Sequence, residues 1–165
     1  MNYAQVADAP VTPIQRPPPR RVFSYKRGRA GQEIQPDNVA IMMEAVTKRG
    51  HALFHASDEL RNNYNLVKAA VQQNGFALQH ASDEMRGTPS IVLAAVTHSG
   101  MALYYASTTL KGARDLVLVA VAQNGLALKH ASAVLQDDPI VVKAATDQNT
   151  KALQFASPGL QLNPP

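Results

Sequence analysis

From about residue 36 onward, apolar and polar positions repeat with a period of 25 residues. The pattern Ala-Leu-x-x-Ala-Ser begins at Ala52, Ala77, Ala102, Ala127 and Ala152. A second pattern, [Leu/Ile/Val]-[Val/Met]-x-x-Ala, begins at Ile41, Leu66, Ile91, Leu116 and Val141. Gly50, Gly75, Gly100 and Gly125 close the period, and Thr150 stands at the fifth such position. Within His51 to Leu60, the residues Ala52, Leu53, Ala56 and Leu60 share one helical face, and Leu66, Val67, Ala70 and Val71 do so in the next stretch. Each unit therefore predicts two helices of about ten residues, joined by about one and about four residues.

The joints carry matching chemistry. Glycine after a helix suits a left-handed residue and a tight turn, so positive φ is expected at the four glycines. Asn38, Asn63, Thr88 and Asp138 stand in register as N-caps, with Pro89 and Pro139 next in line. Ala113 breaks that column, and Asp115 is the expected substitute. Helices this short are marginal alone, so they must gain stability by stacking unit on unit. Ala56, Ala81, Ala106, Ala131 and Ala156 allow close approach, as do Ser57, Ser82, Ser107, Ser132 and Ser157. The expected fold is all-α: right-stacked helical-hairpin repeats forming a short α-solenoid, preceded by an extended Pro/Arg-rich arm. About four and a half units stacked roughly 8–10 Å apart make a rod roughly 40–45 Å long. Residues 36–50 supply only the second helix of a unit, and Pro158 interrupts the last.

Ala-Leu-x-x-Ala-Ser-x-x-Leu, followed by Leu-Val-x-x-Ala-Val-x-x-Asn-Gly, resembles an α-helical repeat family of unknown function. That family is common in protists and also occurs in giant viruses and some bacteria. The resemblance spans residues 38–160, with Asp147, Gln148, Asn149 and Thr150 departing from the closing Asn-Gly. It implies a helical repeat and brings no catalytic residue with it.

Charge changes the picture at the N-terminus. The chain has 165 residues and a formal net charge of +4. Residues 1–35 hold Arg16, Arg20, Arg21, Lys26, Arg27 and Arg29 against Asp8 and Glu33, whereas residues 36–165 are neutral. The first segment also holds Pro10, Pro13, Pro17, Pro18 and Pro19 and shows no apolar period, so it is expected to be an extended, polyproline-like arm. It lacks the apolar core of a secretory signal, and its single serine, Ser24, does not suit a mitochondrial presequence. Two parts follow: an arm over 1–35 and a solenoid over 36–165. The longest apolar run, Leu116 to Ala122, is too short to span a membrane; with no secretory signal either, the compartment stays open and an intracellular one, cytoplasm or organelle, is favoured. With no cysteine, disulfides, thiolate zinc sites and a Cys nucleophile are excluded.

Candidate chemistry is sparse. His55, His80 and His130 share a column with Tyr105 and Phe155, which favours a flat, half-buried side chain over a metal ladder. His51 and His55 with Glu59 lack a fourth ligand. Five serines in equivalent contexts read as packing positions whose hydroxyls return to the carbonyl one turn back, not as a nucleophile. Asp58, Glu59, Asp83 and Glu84 are expected to be solvated. No enzyme activity and no cofactor are expected. A non-enzymatic structural or adaptor subunit of a larger protein assembly fits best. Its expected contact residues are Arg16, Arg20, Arg21, Phe23, Tyr25, Lys26 and Arg27 on the arm and Phe76, Leu93, Met101, Tyr104, Leu118 and Leu126 on the solenoid. The alternative is a nucleic-acid-associated protein, in which the arm's cations grip phosphates and Phe23 or Tyr25 stacks on bases.

Overall fold

The computed structural model describes residues 37–165. The arm, with Arg16, Arg20, Arg21, Phe23, Tyr25, Lys26 and Arg27, lies outside the described residues. A ten-residue helix, α1 (Val39–Lys48), opens the fold. Next come a 3₁₀ segment (Gly50–His55), the short α2 (Asp58–Arg61) and the long α3 (Tyr64–Gln73). The same triplet recurs three times. Gly75–His80 leads into α4 (Asp83–Arg86) and α5 (Pro89–His98). Gly100–Tyr105 leads into α6 (Thr108–Lys111) and α7 (Arg114–Gln123), and Gly125–His130 into α8 (Ala133–Gln136) and α9 (Pro139–Gln148). Thr150–Phe155 and α10 (Pro158–Leu162) end it. The described residues are helical with no strand, and the repeats pack neighbour to neighbour.

The long helices match the expectation; the first helix of each unit does not. His51 to Leu60 is a 3₁₀ segment, a break and one α turn. Ala56 lies at φ −68°, ψ 150° and Ser57 at φ −63°, ψ 161°, both extended. At three of the five joints the serine hydroxyl takes a backbone N–H and caps the new helix; at Ser132 and Ser157 the same break forms without that bond. Ser57, Ser82 and Ser107 accept from the N–H groups of Leu60, Met85 and Leu110 at 3.4, 3.2 and 3.4 Å. These serines are therefore N-caps, and the expected bond back to a preceding carbonyl is replaced by one forward. Three residues per turn bring Gly50, Leu53 and Ala56 into one line, and all three are buried. Pro158 does not interrupt the last unit, because it starts α10, where a missing N–H costs nothing.

The glycines also depart from expectation. None of them has a positive φ. Each follows an extended residue, such as Asn74 at φ −152°, and opens a 3₁₀ segment. Close approach is what demands glycine there. A Cβ at Gly50, Gly75, Gly100 or Gly125 would sit 2.2–2.5 Å from the carbonyl oxygen of Ala70, Ala95, Ala120 or Ala145 in the next unit's long helix. The same contact carries a hydrogen-bond ladder. Gly50, Gly100 and Gly125 donate to Oε1 of Gln73, Gln123 and Gln148 at 2.5, 2.6 and 2.5 Å. Gly75 donates to Nδ1 of His98 at 3.4 Å. A second ladder joins Ser82, Ser107, Ser132 and Ser157 N–H to the carbonyls of Arg61, Arg86, Lys111 and Gln136 at 2.9–3.0 Å.

The cap column before the long helices is mixed. Asn38, Asn63 and Asp138 accept as N-caps. Thr88 donates its hydroxyl to the Glu84 carbonyl at 2.9 Å instead, and Ala113 leaves α7 without a side-chain cap, so Asp115 does not take over that role. The core lies between the long helices and the 3₁₀ layer. It is lined by Leu53, Leu78, Leu103 and Leu128 from one side and by the Leu-Val, Ile-Val or Val-Val pairs of the long helices from the other. No buried polar or charged residue occurs among the described residues.

Candidate functional site

Because the core positions repeat almost unchanged, variation falls on the outer edge of the 3₁₀ layer. Two side-chain clusters form there. In the first, Phe54 is half exposed and meets His55 and His80 edge-to-face at ring-centroid distances of 5.1 and 5.2 Å. His51 approaches His80 at 5.9 Å. Arg61 runs beneath them, donating to the Phe54 carbonyl at 2.7 Å and lying 3.8 Å from Asp58. Burial, and then the Arg61 charge, holds His55 below the ordinary imidazole range; His80 is lowered by burial first and by His51, Arg61 and His55 after it. The histidine column is half-buried, as expected from its Tyr and Phe equivalents.

The second cluster spans the next two units. Tyr104 is 55% exposed. It meets Tyr105 at 4.9 Å and His130 of the following unit at 4.9 Å. The Lys111 ammonium lies over its ring, 5.5 Å from the centroid. Burial pushes His130 down to about 4, helped by Lys129 and Lys111.

The expected contact residues do not form one patch. Phe76, Met101 and Leu126 occupy the second position of three 3₁₀ segments, Phe76 exposed and the other two half-buried. Leu93 and Leu118 lie on α5 and α7. Leu93 is 45% exposed in a shallow depression with Gln72, Ser90, Ala94, Thr97 and His98. Met101 and Leu118 pack in part against the core, so their apolar character also reflects central position in the stack. Of these six, only Tyr104 makes ring contacts with neighbouring side chains, the half-buried Tyr105, Lys111 and His130. Phe54, Lys111, Lys129 and Val134 were missed, although Val134 is 79% exposed. Their signal lay in the columns: Asp58 and Asp83 give way to Thr108 and then Ala133, and Glu59 and Glu84 to Thr109 and Val134.

Asp58, Glu59, Asp83 and Glu84 are exposed, as expected, and two of the four face arginines. Asp58 faces Arg61, and Asp83 receives a hydrogen bond from Arg86. The serines are occupied in caps and ladders. Ser82 also donates to Asn62 Oδ1 at 2.5 Å, and Asn62 donates to Glu84 at 2.9 Å. No group of three or more His, Cys, Asp or Glu suited to a metal occurs among the described residues, and no described helix is long and apolar enough to cross a membrane.

Comparison with protein families gives a match to the Domain of unknown function (DUF4116) over residues 40–86, 63–111, 88–133 and 113–161. These overlapping matches step along the chain by about one unit each. Comparison with curated proteins gives no match, and neither does comparison with solved structures.

Proposed function

The chain belongs to the DUF4116 family of helical repeats, and from that premise we propose that it is a non-enzymatic structural or adaptor subunit of a larger protein assembly. It binds partners through the surface of its repeats and through the basic arm of residues 1–35. The observation that carries this reading is a constant scaffold with a changing, partly apolar edge. Core positions such as Leu53, Leu78, Leu103 and Leu128 are identical, while the next residue runs Phe54, Gln79, Tyr104 and Lys129. Large exposed side chains on such an edge, Phe54, Tyr104 and Val134, add apolar area that stays favourable only when covered. Arm and repeats acting together add through effective concentration.

Affinity purification of the full chain from its native source, with identification of co-purifying chains, tests this. Joint replacement of Phe54, Tyr104 and Val134 by serine is expected to release those chains while the repeats still unfold cooperatively, with the modest loss of melting temperature that the lost ring contacts cost. Recovery of the native chain alone would overturn it.

A nucleic-acid role is favoured by one observation, the six cations of residues 1–35. Phosphate binding falls steeply with salt, whereas apolar docking scarcely changes. A steep loss of arm-dependent binding between low and physiological salt would favour nucleic acid.

A further inference from the structure

In the first two units the cation at the end of the short helix is met by a carboxylate one turn earlier. Arg61 faces Asp58 at 3.8 Å, and Arg86 donates to Asp83. In the third unit the equivalent cation is Lys111, and the two acidic positions are Thr108 and Thr109. Among the described residues Lys111 has no carboxylate partner, and its ammonium rests over the Tyr104 ring. The next unit adds Lys129, exposed, with Ala133 and Val134 in place of acids. Asp137, the one acid of that short segment, receives the Ser157 hydroxyl. Asp138, just beyond it, is taken by Arg114 Nε at 2.7 Å. Lys111 and Lys129 both act on His130, so their positive field reaches the same spot.

We propose that the edge formed by Tyr104, Lys111, Lys129 and His130 docks an acidic segment of a protein partner, whose carboxylate takes the place that Asp58 and Asp83 hold in the earlier units. This deepens the adaptor reading and rests on it. The chain supplies its own template for the bond: a carboxylate against the cation that ends the short helix. Tyr104 adds an apolar floor, and its exposed edge packs against the methylenes of an Asp or Glu side chain. Base stacking is the poorer fit. One face of the Tyr104 ring carries the Lys111 ammonium, and the Tyr105 and His130 rings lie 4.9 Å from it. A stacking base would compete with that ammonium for the ring, whereas a carboxylate adds to it.

The test uses the full chain and a fluorescent Glu-Gly repeat peptide, followed by anisotropy at low and physiological salt. A Gln-Gly peptide and a poly-uridine oligomer of equal charge serve as the other probes. The decisive variant is Thr108→Asp, which installs the carboxylate that two units already carry and therefore keeps the fold. Lys111→Gln is the second. Each is expected to weaken the Glu-Gly peptide about tenfold or more, with an unchanged melting temperature and no response to Gln-Gly. Undiminished peptide binding by Thr108→Asp overturns the proposal. So does tighter binding of poly-uridine that the same variants abolish. If the unaltered chain does not bind the Glu-Gly peptide, while both it and Thr108→Asp recover native partner chains, this docking edge is wrong and the adaptor reading stands. A native chain that recovers no partner at all sinks both.

Discussion

Replacing Gly100 by alanine should open the joint between two units. The added methyl would lie 2.2 Å from the Ala120 carbonyl oxygen, 3.0 Å from Gln123 Oε1 and 3.1 Å from the Asn124 nitrogen. Two of these are backbone atoms of the next unit's long helix and its cap, so no side chain can swing aside. Restoring ordinary van der Waals separation requires that helix to retreat by about 1 Å. The retreat stretches the Gly100 N–H bond to Gln123 Oε1, now 2.6 Å, worth about 1 kcal/mol. Overpacking adds roughly 1–3 kcal/mol, so the total is about 2–4 kcal/mol, or roughly 10 °C in melting temperature for a domain of this size. Urea and thermal titrations followed by far-UV circular dichroism measure it. A broadened transition is expected as well, because coupling between neighbouring repeats holds a solenoid's unfolding together. Gly87→Ala is the control. Its Cβ would come no nearer than 3.4 Å to another atom, at φ −94°, so alanine there should be neutral or slightly stabilising. If both substitutions cost the same, or if Gly100→Ala costs less than about 0.5 kcal/mol, close approach is not what the glycine serves.

Ser82→Ala should cost about 1–2 kcal/mol, since it removes the cap to Met85 and the link to Asn62. Ser132→Ala should cost clearly less, because Ser132 makes no side-chain cap bond; equal losses in urea titrations would refute the capping role. Ala106→Leu should lower stability by about 1–3 kcal/mol through overpacking, while Gln79→Leu on the edge should leave the melt nearly unchanged; indistinguishable melts would refute tight stacking at the alanine column. The pKa values of His55, His80 and His130 are all lowered by folding, that of His130 from 6.5 to about 4. The unfolded chain therefore binds more protons, so stability is full above about pH 6.5 and is lost as pH falls toward 4. His130→Phe, which copies Phe155, should flatten part of that acid loss in melting curves taken from pH 7 to pH 4. A parallel profile would mean that burial does not depress this imidazole.

The period of 25, the all-α class, the long helices and most of their caps were legible in the sequence. These depend on neighbours a few residues apart, whose apolar spacing and capping chemistry act locally and recur in register. The histidine column was legible for the same reason: Tyr105 and Phe155 in equivalent places describe a flat, half-buried environment. Tertiary structure decided the rest. Glycine has two uses, conformational freedom and lack of a side chain, and sequence does not separate them. Only the approach of the Ala70, Ala95, Ala120 and Ala145 carbonyls shows that the second one governs Gly50, Gly75, Gly100 and Gly125. Ala-Leu-x-x-Ala-Ser fits an α-helical face and a 3₁₀ line equally well over six residues. The choice shows only once the units are packed, with Ser82, Ser107, Ser132 and Ser157 held from across the unit boundary by N–H bonds to the preceding short helix. The edge clusters were hidden for a related reason. Tyr104 and His130 are 26 positions apart, and they meet because stacking places one unit's edge directly beside the next.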